Sequence, residues 1–267
     1  MKTAHFTPAN RLFTYELRDV VRSRWAVVYT LFFLIITDAF FRFSGGGEQV
    51  ILSLVNVVLI LIPLVCLMFG VSYLYNAREF IELMLAQPVR RRDFFIALYS
   101  GLLAPLAVAF VLGTFLPFLW HGAIIDHGAS LLRLLIAGVF LTAIFLALAF
   151  LLAVRFDDRV KGLGIAILLW VFLAILFDGL VLLVAHSFSN YPLETPMLIV
   201  TSLNPISLAR VLLLLSVDVA ALLGYTGAAF ERMFGSAMGT FLALSSLVAW
   251  VVVPLVLAYR KFSTKDF

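Results

Sequence analysis

The chain has 267 residues, 64% of them hydrophobic and 13% charged, and its mean hydropathy is +1.12. Soluble domains are about half apolar, so composition excludes that class and makes the membrane span of roughly 20 residues the natural unit of description. Basic residues outnumber acidic ones, 19 to 15, which would admit nucleic acid as a partner if the distribution of charge did not have a simpler explanation.

The first stretch, TPANRLFTYELRDVVRSRW, runs from Thr7 to Trp25. Thr7 and Pro8 suit an N-cap and a first helical position. Phe13, Leu17, Val20 and Val21 then recur at helical spacing, with Glu16, Asp19 and Arg22 elsewhere on the wheel. Residues 1–24 are therefore expected as an amphipathic helix on the inner membrane surface, and an ordinary juxtamembrane anchor describes them equally well. Their length and charge do not fit a cleavable leader.

Six apolar segments follow: Trp25–Phe43, Ile51–Tyr75, Phe94–Trp120, Leu131–Val154, Gly162–Ala185 and Thr240–Tyr259. Each is long enough to cross about 30 Å of hydrocarbon as a helix. Helices are required because backbone polar groups find no water there. The expected fold is all-α and polytopic, a transmembrane domain over residues 25–259. Placing both termini in the cytoplasm leaves only Arg42, Arg133, Arg210 and Arg232 outside, and 15 of the 19 basic residues inside. The basic excess is then positive-inside bias, and nucleic acid is not needed as a partner.

Between the second and third spans lies AREFIELMLAQPVRRRDFF, Ala77 to Phe95. A short helix over 77–93 is expected here, with Phe80, Leu83, Met84 and Gln87 along one side and Glu79 and Glu82 towards another. Pro88 should end it. Arg90, Arg91 and Arg92 fall where anionic headgroups attract them, and Asp93 is placed to cap the third span. A free amphipathic helix on the membrane is the plain reading; docking a soluble partner is the other.

The outer connections SGGGEQ and HGAIIDHGAS are short, whereas residues 186–235 form a long extracytoplasmic segment broken by Pro192, Pro196 and Pro205. Within it, Leu208–Tyr225 is apolar enough to span. Arg210 and Asp218 interrupt it, however, and a seventh crossing would put the basic tail, residues 260–267, outside. It is read as an interfacial or re-entrant helix. GSAMG, Gly235 to Gly239, leads into the last span and permits close helix contact.

Reaction chemistry is scarce. No GxxxxGK[ST] phosphate loop and no GxSxG occur, so the chain is expected not to be an enzyme. Cys66 is alone, and His5, His121, His127 and His186 lack metal-ligand spacing, so no metal or other cofactor is expected on this chain. Two acids lie in apolar surroundings. Asp38 precedes Arg42 by four residues, an i,i+4 pair. Asp178, in LFDGLVLL, is a costly intramembrane carboxylate, and two readings stay open: a group on a transport path, or an interhelical hydrogen bond near the outer end.

ELMLAQPVRRRDFF resembles the segment between the second and third spans of ABC-2 type transporter permeases, in the register Glu82, Leu83, Leu85, Gln87, Pro88, Val89, Arg91, Arg92 and Gly101. The family's Gly-Thr before the leucine run is Glu79-Phe80 here, and Leu98 replaces a frequent lysine. YELRDVVRSRW is similar to the same family's N-terminal helix. LWVFLAILFDGLVLLV, LNPISLARVLLL and FGSAMG resemble its branch that serves maturation of the copper enzyme nitrous oxide reductase.

That resemblance implies six spans per subunit, a second copy of the chain and two cytoplasmic ATPases that bind ATP and Mg. It implies a coupling role for Glu79, Glu82, Gln87, Pro88, Arg90, Arg91 and Arg92, with Asp157 and Asp158 as a second, weaker contact. It also implies an outer partner protein, for which Asn204, Pro205, Arg210 and Glu231 are the candidate contacts. Export of a lipid, peptide or drug, or a proton-coupled carrier using Asp178, are the competing functions.

Overall fold

A computed structural model describes residues 24–44, 46–87, 89–187, 200–214 and 237–264. These residues form helices and turns, with no strand among them. In chain order the helices are α1 (Arg24–Ser44), α2 (Gly47–Asn76), α3 (Arg78–Leu85), α4 (Arg91–Trp120), α5 (Ile124–Arg155), α6 (Arg159–Val171), α7 (Phe177–Ser187), α8 (Pro205–Leu214) and α9 (Ala237–Thr264). A single wide, π-type turn over Phe172–Leu176 joins α6 to α7. Six helices are long and apolar enough to cross a membrane: α1, α2, α4, α5, the joined α6–α7, and α9. The N-terminal amphipathic helix, Pro88, Glu231 and the C-terminal part of Leu208–Tyr225 lie outside the described residues.

The helices run past the apolar segments because charged and polar residues extend them at the membrane surfaces. The clearest difference is HGAIIDHGAS, expected as a loop. Only residues 121–123 turn, and α5 already begins at Ile124. Gly122, at φ +70°, makes this possible. The Ala123 N–H reaches back to the Phe118 carbonyl at 3.1 Å and the Gly122 N–H to that of Leu119 at 3.3 Å, a glycine-dependent helix stop. Asp93 does not cap α4. The helix starts at Arg91, with Arg90 as the flanking residue, and Asp93 sits inside the first turn, where a carboxylate still favours the helix dipole.

Helix α5 is the axis of the bundle: 78% of its most apolar window is buried, against 11% for α6–α7 and 22% each for α1 and α9. Between helices in lipid no hydrophobic drive exists, so association rests on packing and small residues at the contact. Gly138 of α5 fits this, since a Cβ there would lie 2.3 Å from Phe110. Gly113 of α4 is tighter in kind. Its Cβ would meet the Thr30 carbonyl of α1 at 2.7 Å and the Phe33 Cβ at 2.8 Å, and backbone cannot step aside as a side chain can. Gly113→Val should therefore force α1 from α4 and lower stability by about 2–3 kcal/mol, read as the thermal midpoint of the purified chain in detergent. Gly164→Ala, where nothing lies within 4 Å, should melt at or slightly above the wild type; equal melting of the two variants would contradict this packing.

Candidate functional site

Among the described residues polar assemblies interrupt the apolar bundle at the end that carries α3 and most of the basic residues and near the opposite end. At the basic end, the brace begins with Tyr75. Its hydroxyl donates to the Phe156 carbonyl at 2.7 Å and lies 3.3 Å from that of Asp158. Gly162 makes room for the phenol, because a Cβ there would stand 2.1 Å from its oxygen. Arg159 donates to the Asn76 amide oxygen at 3.0 Å. Arg78 lies 3.3 Å from Glu82 and 3.9 Å from Asp157. The turn between α5 and α6 is thus tied to the root of α3. On the other flank, Arg91 donates to the Ser263 carbonyl at 2.9 Å, and Phe262, fully buried, packs against Phe94 and Phe95.

Helix α3 rests on this base through Ile81, which is 2% exposed, with Phe80, Met84 and Leu85 partly buried beside it. The expected stripe therefore changes. Leu83 and Gln87 face out with Glu79 and Glu82, and Leu83 is 69% exposed. In an eight-residue helix, two apolar faces satisfy the periodicity about equally. The neighbouring spans decide between them, since Leu74 and Tyr75 of α2, Ala153 and Val154 of α5 and Phe262 of α9 border the space beside Ile81. Arg90, Arg91 and Arg92 are exposed beyond the helix. Asp157 and Asp158 are exposed too, but the Asp158 carboxylate is engaged as the cap of α6, accepting from the Val160 and Lys161 N–H groups at 2.8 and 3.3 Å.

The second assembly centres on Asp178. The sequence LNPISLAR starts a helix by local rules: Asn204 is the cap, with its side-chain oxygen 3.0 Å from the Ile206 N–H, and Pro205 takes the first position, where no N–H is needed. That start turns Ser207 and Arg210 to one side, towards Asp178. Ser207 donates to one carboxylate oxygen at 2.9 Å and Arg210 to the other. The Asn204 amide donates to Ser207 at 2.9 Å and to the Leu173 carbonyl at 2.7 Å. Leu173 belongs to the wide turn, where Phe177 N–H bonds back to Phe172, a deviation that often marks functional positions in helices. Trp250 of α9 donates to the Ser202 carbonyl at 3.1 Å, so three elements meet at this latch.

Asn204 and Pro205, expected as contacts for a partner, are buried inside the chain. The Asn204 amide is fully employed there, so neither side chain is on offer to a protein outside. Arg210 is about one third exposed and paired with Asp178. Nothing in the sequence pointed to this pairing across 32 residues, and nothing pointed to the wide turn. Asp38 also gains partners beyond Arg42, which lies at 2.7 Å: His121 at 3.0 Å and Trp120 at 3.3 Å join it, and Phe41 stacks on His121. Among the described residues no three metal-ligating side chains come together.

The profile of the family described as ABC-2 family transporter protein matches residues 11–267. The chain belongs to this family. It is similar to the probable ABC transporter permease protein NosY of Pseudomonas aeruginosa, with 29% identity over 266 residues covering 92% of this chain and 94% of that one. It is likewise similar to the probable ABC transporter permease protein NosY of Stutzerimonas stutzeri, at 27% over 277 residues, with 92% and 95% covered. The ABC-2 permease is thus a multi-pass membrane subunit.

Proposed function

We propose that this permease is driven by a separate cytoplasmic ATPase docked on α3, with two copies of each chain in the working assembly. In this reading the basic end faces the cytoplasm, as do both termini, in a bacterial inner membrane. ATP and Mg belong to the ATPase, and this chain binds no cofactor and catalyses no reaction of its own. The observation that carries the reading is the mounting of α3. Ile81 is anchored among the ends of three spans, while Glu79, Glu82 and Leu83 point outward. A rigidly held, acidic-apolar face can pass a partner's motion into the spans, whereas a helix floating on lipid would not need Ile81 buried against α2, α5 and α9 or Arg78 beside Asp157 of the turn before α6.

The similarity to the two NosY proteins supports a place in maturation of nitrous oxide reductase, with a NosD-like periplasmic partner. Export of another cargo remains the alternative within the same architecture. A proton carrier built on Asp178 is less well supported, because that carboxylate is already held by Arg210 and Ser207.

Co-expression with the ATPase encoded beside it tests the proposal. The wild type should capture the ATPase in detergent, and Glu82→Lys should weaken capture at least tenfold, because a reversed charge sets like charges against each other at a docking face. Undiminished capture and hydrolysis with Glu82→Lys would remove α3 as the docking site.

A further inference from the structure

Between α1, α2 and α6, on the half of the bundle nearer the basic end, lies a groove of about 830 Å³. That volume is within the roughly 300–1,000 Å³ of small-molecule sites. Its wall has a graded polarity. Leu64, Val65, Met68 and Phe69 of α2 line the deep part, and Tyr73 and Asn76 of the same helix line the mouth together with Arg159 and Trp25. From Leu64 to Asn76 is 12 residues, or about 18 Å of helix, which is close to one leaflet's share of a roughly 30 Å core plus the start of its headgroup region. Trp25 stands at the level where interfacial aromatics collect.

Among the described residues Arg159 is the one charged residue of this lining. Its partner among the described residues is the neutral Asn76 amide. A guanidinium has five donors, and among the described residues no carboxylate of the lining neutralises it. An apolar trough one leaflet deep, with an arginine at its mouth, matches an anionic amphiphile.

We propose that the groove holds one anionic phospholipid of the leaflet at the basic end, with its phosphate on Arg159 and an acyl chain along Val65 and Met68. The inference needs only that the chain spans a membrane, so it stands whether or not the ATPase docks on α3. A lipid seated there fills the space between α1 and α6 and touches Asn76 and Arg159, which belong to the brace beneath α3.

The test is native mass spectrometry of the full chain in detergent, titrated with phosphatidylglycerol and, separately, with phosphatidylcholine. One phosphatidylglycerol should bind at least tenfold tighter than phosphatidylcholine. Arg159→Gln should cut that affinity about fivefold, the equivalent of about 1 kcal/mol per basic residue at an anionic surface. Lys161→Gln, which removes the same charge two residues away but outside the groove, should leave it unchanged. Val65→Phe should weaken binding with every charge intact. Equal loss from Arg159→Gln and Lys161→Gln would mean a diffuse surface charge and overturn the site. Competition by millimolar inorganic phosphate with Val65→Phe silent would mean a free-anion site, and lipid-free dimers resistant to titration would mean that a second copy fills the groove. Either result would overturn the lipid.

Discussion

Asp178→Ala is expected to lower the stability of the purified permease by about 2 kcal/mol and to reduce the amount recovered from membranes. The variant leaves Arg210 without its counter-charge in a helix-lined setting, and Ser207 without its acceptor. Stripping one partner from a buried pair costs roughly 3–5 kcal/mol, and a lone charge at mid-membrane about 2.5–3.5 kcal/mol on insertion scales. The pair is about one third exposed, 31% for Asp178 and 33% for Arg210, which places this site below those figures. Arg210→Ala should cost a similar amount. Asp178→Ala combined with Arg210→Ala should recover most of the loss, because no uncompensated charge remains, and the departure from additivity measures the latch directly. Thermal midpoints of the four proteins in one detergent decide it. If Asp178→Ala melts with the wild type, the carboxylate is not structural and the transport-path reading returns. If the double variant folds but its assembly cannot work, the latch serves function beyond holding the chain together.

The parts of this molecule that were readable from its sequence are those set by solvent. Six apolar runs of adequate length had to become helices, because lipid offers no partner to an open backbone, and the all-helical bundle follows. Charge likewise marked residues 77–93 as a distinct segment between spans. Its buried face was not readable, since exchanging Leu83 for Ile81 depends on how α2, α5 and α9 end around it. Asp178 was recognisable as costly, but its partner could not be. Arg210 is far along the chain and was read as a surface residue, and the Asn204–Pro205 helix start that aims it looks locally like any other. Gly113 gave even less signal: one glycine in an apolar run says nothing of the carbonyl that will approach it.

Phe262→Ala should be the most damaging single change at the basic end, lowering stability by about 3 kcal/mol. The ring is 1% exposed, with its centroid 5.3 Å from that of Phe95 and 6.4 Å from that of Phe94. Together with Ile81, Arg78 and Tyr75 it borders a residual cavity of only about 20 Å³, scarcely room for one water. Truncation would open a void that the ends of four helices cannot close together, and phenylalanine losses of this kind cost about 3–5 kcal/mol; the site's closeness to water sets the lower end. Arg91→Gln, which weakens the bond to the Ser263 carbonyl at the end of α9, should cost about 1 kcal/mol. Glu82→Lys, on the outer face of α3, should shift the melting midpoint hardly at all, since an exposed i,i+4 pair contributes little. The three variants therefore separate two roles that a loss of ATPase capture alone would confuse. Phe262→Ala should lose both the melting midpoint and capture, because α3 rests on the cluster it dismantles. Glu82→Lys should lose capture while the fold stays intact. A Phe262→Ala protein that melts with the wild type would show that the last span does not support α3, and transmission would then have to run through Tyr75, Arg78 and the turn before α6.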